Sequence, residues 1–376
     1  MTLKGLNWGH RRATAPMQAA AEAARARFGI TLDWEVQPLS GFESGLNAAL
    51  ADRYDLIVFD HPFCGTIAAQ GLMQKLDAVL GDLGDEDFIG GSLASYRSAG
   101  ALWALPVDGA TQAALLRPDL LEPHALPRDW AALLALGERL QRQGRWLGLA
   151  SATPHGLLVL AALCANLGAP FATDPALPPF DPATLGEAAG LLRAAVRLSR
   201  PDGARMNAIG LHEAMAADDD IAYCPCAYVY LTYAEPDMPR PLRFAPFPGP
   251  DGSPRGTVLG GTGLGVTRSC RDLPAAHQVL RLLASWPDQQ ALVMRHHGQP
   301  ARAEAWQGAE EDRAFAGAHA ALRDTIEAAW TRPRFDGYIT WQHEAGRVVE
   351  AFLADAIDVA GLAAGLRALW PGGAGS

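Results

Sequence analysis

Within its first 60 residues the chain alternates short apolar runs with a longer alanine-rich stretch, and that alternation confines it to folds in which helices cover a sheet. Residues 3–8 read as a short apolar strand. Thr14, Ala15 and Pro16 suit a helix start, with proline in the first turn, and predict a helix to about Arg27 that Gly29 closes. Leu32, Trp34 and Val36 alternate with polar residues, as in a strand with one face more buried. Leu56-Ile57-Val58-Phe59 is instead a continuous apolar run of the kind found in a covered parallel sheet. The expected class is α/β. In such sheets ligands lie beyond the carboxyl ends of the strands, which puts residues 8–12 and 60–62 at one rim.

Further along, residues 101–107 and 112–116 read as two extended runs around Asp108-Gly109, a crossover or a hairpin. Helices are predicted at about 130–143, 155–166 and 181–198, strands at 221–224 and 242–245, and a proline-rich loop at 245–254. Extended structure resumes over 256–266, before helices at about 274–285 and 289–294. A length of 376 residues leaves room for two domains, and 49% apolar against 19% charged residues supplies a core for each. Arginine and lysine number 31 against 41 acidic residues, a net charge of −10 with no basic run, which excludes the footprint of a nucleic-acid binder. The longest apolar run, 156–165, is shorter than the roughly 20 residues a membrane helix needs. Residues 1–8 lack the features of an export leader, so the expected location is periplasmic if a leader has been removed and cytoplasmic if Met1 is the native start. Cys64, Cys164, Cys224, Cys226 and Cys270 have no zinc-site spacing and read as structural thiols, so neither a metal nor a cofactor is expected.

Four pieces, in order, carry a resemblance. Residues 55–60 followed by 68–77 match a "D-hydrophobic" strand and a helix ending at a "G-hydrophobic-x-x-L-D" turn. Trp103-Ala104-Leu105-Pro106, ahead of residues 113–121, matches a hinge segment with a "Y/W-x-x-P" element. Residues 260–266 form a glycine-rich strand leading to a helix at 274–285, and Gly298-Gln299-Pro300-Ala301-Arg302 matches a "G-x-P-A-R" turn. Together they resemble the family 1 extracellular solute-binding proteins, although Leu115-Leu116-Arg117 stands where that family has "Y-Y-N". The resemblance implies a two-lobed periplasmic-binding-protein-like fold, with a ligand cleft between lobes joined by hinge crossovers. The lobes would comprise 1–108 with 260–305, and 109–259 with 306–376. It further implies a monomeric solute-binding protein that delivers a small-molecule ligand to the membrane permease of an ABC importer.

Ligand-gripping residues are sought among aromatic faces and polar groups. Trp8, His10 and Arg11 follow the first strand, whereas Arg12 reads as a solvated charge at the helix start. Asp60 and His61 follow the apolar strand, and Trp103 and Asp108 flank the expected hinge. Tyr228 and Tyr230 would share one face of an extended segment. Thr262 and Gly263 would present backbone to the ligand, and Tyr338 and Trp341 are aromatic candidates from the last third of the chain. The glycine run lacks the spacing and the following helix of a nucleotide loop, and no nucleophile motif is present, so catalysis is not expected. The expected ligand is a saccharide or polyol. The alternatives are a small organic acid or other anion held by Arg11 and His10, or a cytosolic sensor or enzyme on the same fold.

Overall fold

The apolar runs become strands, and tertiary hydrogen bonds decide where each one ends. The structure, a computed structural model, describes residues 2–122, 126–251, 253 and 255–372. In chain order the strands used below are β1 (Thr2–Trp8), β2 (Thr31–Gln37), β3 (Leu56–Phe59), β4 (Leu105–Leu116), β5 (Trp146–Leu147), β6 (Ile221–Tyr228), β7 (Arg243–Ala245) and β8 (Leu259–Val266). The helices used are α1 (Arg11–Phe28), α2 (Cys64–Gln70), α3 (His155–Asn166) and α4 (Tyr338–Leu353). The chain divides into two compact units. Unit 1 is Met1–Ala110, Gly260–Arg313 and Arg334–Ile339, and unit 2 is Thr111–Leu259, Ala314–Pro333 and Thr340–Ser376.

In unit 1, β1 pairs in parallel with β2 from Thr2↔Thr31 to Trp8↔Gln37, and with β3 at Gly5↔Leu56 and Leu6↔Ile57. On the other side of β3, β8 runs antiparallel, Phe59 facing Gly263 and Leu56 facing Val266. All four residues of β3 are buried, as a strand covered on both faces requires. Helix α1 begins at Arg11 rather than near Thr14, because the His10 ring accepts the Arg12 N–H and caps the helix three residues earlier. Pro16 therefore lies inside it, while Gly29 closes it in the left-handed conformation, with φ 68°.

In unit 2, β4 pairs antiparallel with β6 from Gln112↔Tyr228 to Leu116↔Tyr223, and with β7 from Ala114↔Ala245 to Leu116↔Arg243. Strand β5 joins β6 in parallel. The expected strand 221–224 continues to Tyr228 because the register shifts between Ala113 and Leu115, a bulge that admits Pro225. Residues Gly252 and Pro254 of the expected proline-rich loop lie outside the described residues.

The expectation of two extended runs broken at Asp108-Gly109 is corrected: Leu105–Leu116 is one strand, buried throughout. Gly109 donates its N–H to the Gln299 carbonyl at 2.8 Å, and the Gln299 side-chain amide returns a bond to the Gly109 carbonyl at 3.1 Å. Partners 190 residues away thus satisfy a backbone that would otherwise turn. No helix among the described residues is long and apolar enough to cross a membrane.

All five cysteines are buried and unbridged. Burial pushes the Cys164 and Cys224 thiols up to about 12 and Cys270 to about 11, and raises Cys64 and Cys226 as well. Since the thiolate is the reactive form, the native protein is expected to resist a thiol-specific chromogenic reagent at pH 8, and to titrate all five thiols in denaturant. Rapid native reaction of even one equivalent contradicts this packing.

Candidate functional site

Because β1 and β3 are parallel neighbours, their carboxyl ends lie side by side, and the residues that follow them form the rim of unit 1. Trp8 ends β1 almost wholly buried, stacked on His10 with ring centres 5.9 Å apart and tilted against Phe42 at 5.5 Å. Burial pushes the His10 imidazole down to about 4, with Arg12 and Arg11 adding to the effect. His10 is therefore neutral at physiological pH, and its Nδ1 is the acceptor that caps α1. Asp60 follows β3, and its carboxylate lies 3.3 Å from Nδ1 of the fully buried His61. His61 meets the edge of Tyr96, whose hydroxyl donates to the Phe59 carbonyl at 3.0 Å.

Beneath this rim Arg12 and Asp108 form a bidentate ion pair, Nε to Oδ1 at 2.8 Å and Nη2 to Oδ2 at 2.5 Å, with both side chains more than nine-tenths buried. Burial pushes the Asp108 carboxyl up, while Arg12 and the backbone N–H of Thr262 pull against it. A cavity of about 10 Å³, lined by Asn7, Arg12, Asp108 and Thr262 among others, adjoins the pair; that is close to the least volume that holds one water. The reading of Arg12 as a solvated charge is overturned. Buried Ala13, Pro16, Met17, Ala20 and Ala24 define the inward face of α1, and projecting that face back one turn lands on Arg12. Arg11, one residue earlier, is exposed and lies 2.9 Å from the His297 ring.

The other candidates disperse. Trp103 is buried and donates its indole N–H to the Ser98 carbonyl at 2.9 Å. Gly263 sits where a Cβ would lie 2.7 Å from the Tyr96 ring and 2.8 Å from Ala104, so its missing side chain serves packing within unit 1. Tyr338, in unit 1, meets Phe335 edge-on at 5.5 Å, whereas Trp341, in unit 2, packs against Trp370 at 5.0 Å and Phe171 at 6.2 Å. Tyr228 and Tyr230 do not share a strand face, because β6 ends at Tyr228 and Tyr230 opens a 3₁₀ turn. Tyr228 donates to the Leu259 carbonyl at 3.4 Å, and Tyr230 packs edge-on against buried His212 at 5.3 Å.

Sequence reasoning assigned no role to several polar groups that the fold encloses in whole or in part. Arg334 donates to the carbonyls of Ala94, Ser95 and Arg97 at 2.7 to 3.0 Å, fixing its segment on unit 1. In unit 2, Arg332, Gln342 and His155 are buried, and no local pattern marks any of them. Among the described residues no group of three His, Cys, Asp or Glu side chains is placed to hold a metal ion.

A model of the bacterial extracellular solute-binding proteins matches residues 18–316. Compared by sequence alone, no curated protein matches. Solved structures match over nearly the whole chain. A maltose-bound MalE3 of T. maritima has a TM-score of 0.79 at 16% identity, covering 98% of this chain and 99% of that one. An ABC transporter solute-binding protein of Thermotoga lettingae, bound to α-D-tagatose, has a TM-score of 0.83 at 16% identity, with 98% of each chain covered. One from Agrobacterium radiobacter in complex with ribitol has a TM-score of 0.77 at 17% identity, with 97% of each covered. These chains share the two-lobed fold of solute-binding proteins.

Proposed function

Given that the chain belongs to the bacterial extracellular solute-binding proteins, we propose that it captures a saccharide or polyol by hinge closure and delivers it, as a monomer, to the membrane permease of an ABC importer. The family match over residues 18–316 carries this reading. The ligands named for fold relatives, maltose, tagatose and ribitol, support the choice of a polyhydroxylated ligand. So does the chemistry of the unit 1 rim, where Asp60 supplies a carboxylate acceptor beside the stacked Trp8 and His10. The role is binding rather than catalysis, and the family's extracellular setting supports a location in the periplasm.

A thermal-shift screen over sugars, polyols and organic acids tests the ligand class. A ligand at 100 times its Kd stabilises the native state by about 2.7 kcal/mol. Stabilisation confined to carboxylic acids without a sugar or polyol skeleton overturns the saccharide reading. For the best ligand, Asp60→Ala and Trp8→Ala are each expected to weaken binding at least about tenfold by calorimetry, since both remove a group from a desolvated rim. Trp8→Ala should also lower the unliganded melting temperature, because the indole packs on Phe42 as well as on His10. Parent-like affinity in both folded variants places the ligand away from this rim.

A further inference from the structure

Unit 2 carries a cavity of about 540 Å³, a size within the range of small-molecule sites. Every residue lining it lies between Leu126 and Asp251, so it belongs to unit 2 alone and includes none of the rim residues. Its place follows from strand register: Tyr223 of β6, one of the lining residues, pairs with Leu116, about 17 Å along β4 from Thr111, where the chain enters unit 2.

Tyr223 is 1% exposed, and its hydroxyl has no hydrogen-bond partner among the described residues. Burial pushes the phenol well above its ordinary value, so the group stays a neutral hydroxyl that both donates and accepts. Phe247 is buried and meets Trp130 edge-on at 5.7 Å, with Pro246 and Pro248 beside it in the lining. Gly249 donates its N–H to the Arg128 carbonyl at 3.0 Å, which ties this proline segment to the residues that open the helix Trp130–Arg142. Arg128 itself is exposed, and its guanidinium makes no ion pair or hydrogen bond among the described residues. Both carboxylates of the lining are already engaged: Asp129 accepts the Ala132 N–H at 2.7 Å, and Asp251 accepts the Ser253 N–H at 3.0 Å and lies 3.5 Å from Arg255.

These groups sort ligands by chemistry. Proline has no N–H, so the walls offer few donors, and a sugar with several hydroxyls would give up its water there for one buried hydroxyl in return. A flat aromatic ring gives up little and packs on Phe247 and the proline rings. A single hydroxyl on that ring matches Tyr223, and the one charged side chain without a partner, a planar guanidinium fork, calls for a carboxylate. We propose that this cavity is a second ligand site that takes a small hydroxylated aromatic carboxylate, with its hydroxyl on Tyr223, its ring against Phe247 and its carboxylate on Arg128. The site does not rest on the saccharide reading above.

The test is calorimetry on the intact chain with 4-hydroxybenzoate and 4-hydroxycinnamate. Each is compared with its methyl ester, which lacks the charge, and with benzoate or cinnamate, which lacks the hydroxyl. At least one hydroxy acid is expected to bind about tenfold or more tighter than either of its analogues, and more weakly as salt rises. Tyr223→Phe should bring the hydroxy acid down to the affinity of the analogue without the hydroxyl, and Arg128→Met down to that of the ester. Both variants should bind the best sugar of the thermal-shift screen as the parent does. Circular dichroism verifies folding, and Arg128, being exposed, keeps the test open even where Tyr223→Phe does not fold. Failure of both hydroxy acids to bind, or equal affinity for acid and ester, overturns the proposal. Parent-like acid binding in the folded variants overturns it too, as does displacement of the acid by a saturating sugar. Binding of a hydroxy acid in the expected pattern, with no sugar or polyol bound, upholds the cavity and overturns the saccharide reading instead.

Discussion

Asp108→Leu is expected to be among the most destabilising single substitutions in unit 1, costing about 3–5 kcal/mol in urea unfolding, because it leaves the Arg12 guanidinium buried without its bidentate partner. Arg12→Met should cost less, and the difference is a matter of proton chemistry. A guanidinium cannot shed its proton in a protein, whereas a carboxyl can take one up. Burial already pushes Asp108 upward in the parent, and removing Arg12 removes the group that most opposes that shift. In Arg12→Met the folded-state carboxyl then titrates above its unfolded value, so the folded state binds more protons and stability falls as pH rises through that folded-state value. Lowering the pH should therefore restore stability to Arg12→Met and do nothing comparable for Asp108→Leu. The double variant Arg12→Met with Asp108→Leu, which leaves neither charge, should recover most of the loss, since buried pairs repay little of their desolvation. Equal losses in the two single variants, independent of pH, would refute this account.

Gly65→Ala is expected to cost about 3 kcal/mol, the upper end for overpacking, because the new methyl meets backbone rather than a side chain that can swing away. A Cβ at residue 65 would lie 1.8 Å from the Arg334 carbonyl oxygen and 2.5 Å from the Phe335 carbonyl carbon. Either α2 or residues 334–339 must move, and the segment's other ties to unit 1, the three Arg334 bonds and Thr66 Oγ1 donating to Asp336 at 2.8 Å, will be strained with it. Hydrogen exchange should consequently quicken over 334–339 more than elsewhere in unit 1. The control is Gly190→Ala, in the helix Pro182–Arg197, where a Cβ meets nothing within 4 Å and where alanine should be neutral or stabilising by about 0.5–1 kcal/mol. Parent-like stability for Gly65→Ala means the two backbones are not in contact.

Local patterns determined the class of fold. The run Leu56–Phe59 could satisfy its apolar side chains only in a covered strand, Gly29 could end a helix in a left-handed conformation that other residues rarely adopt, and the ordered pieces around residues 55–77, 103–121 and 260–302 carried the solute-binding resemblance. Each is a property of neighbouring residues, so the sequence displays it directly. The polar interior was settled by contacts that no local window contains. Asp108-Gly109 has the chemistry of a turn, yet stays in strand because Gln299 and Arg12 supply partners from distant segments. Arg11 and Arg12 are equivalent by composition, and a helix start three residues earlier than the capping pattern suggested sends one to solvent and the other into the core. Tyr228 and Tyr230 look like strand neighbours until His212 draws the second into a turn. Arg332 and Gln342 show no sign of one another in the sequence until folding brings Nη1 within 3.3 Å of Oε1. Hydrophobic burial is encoded residue by residue, but the partner of a buried charge or amide is a distance in space, and only the tertiary structure sets it.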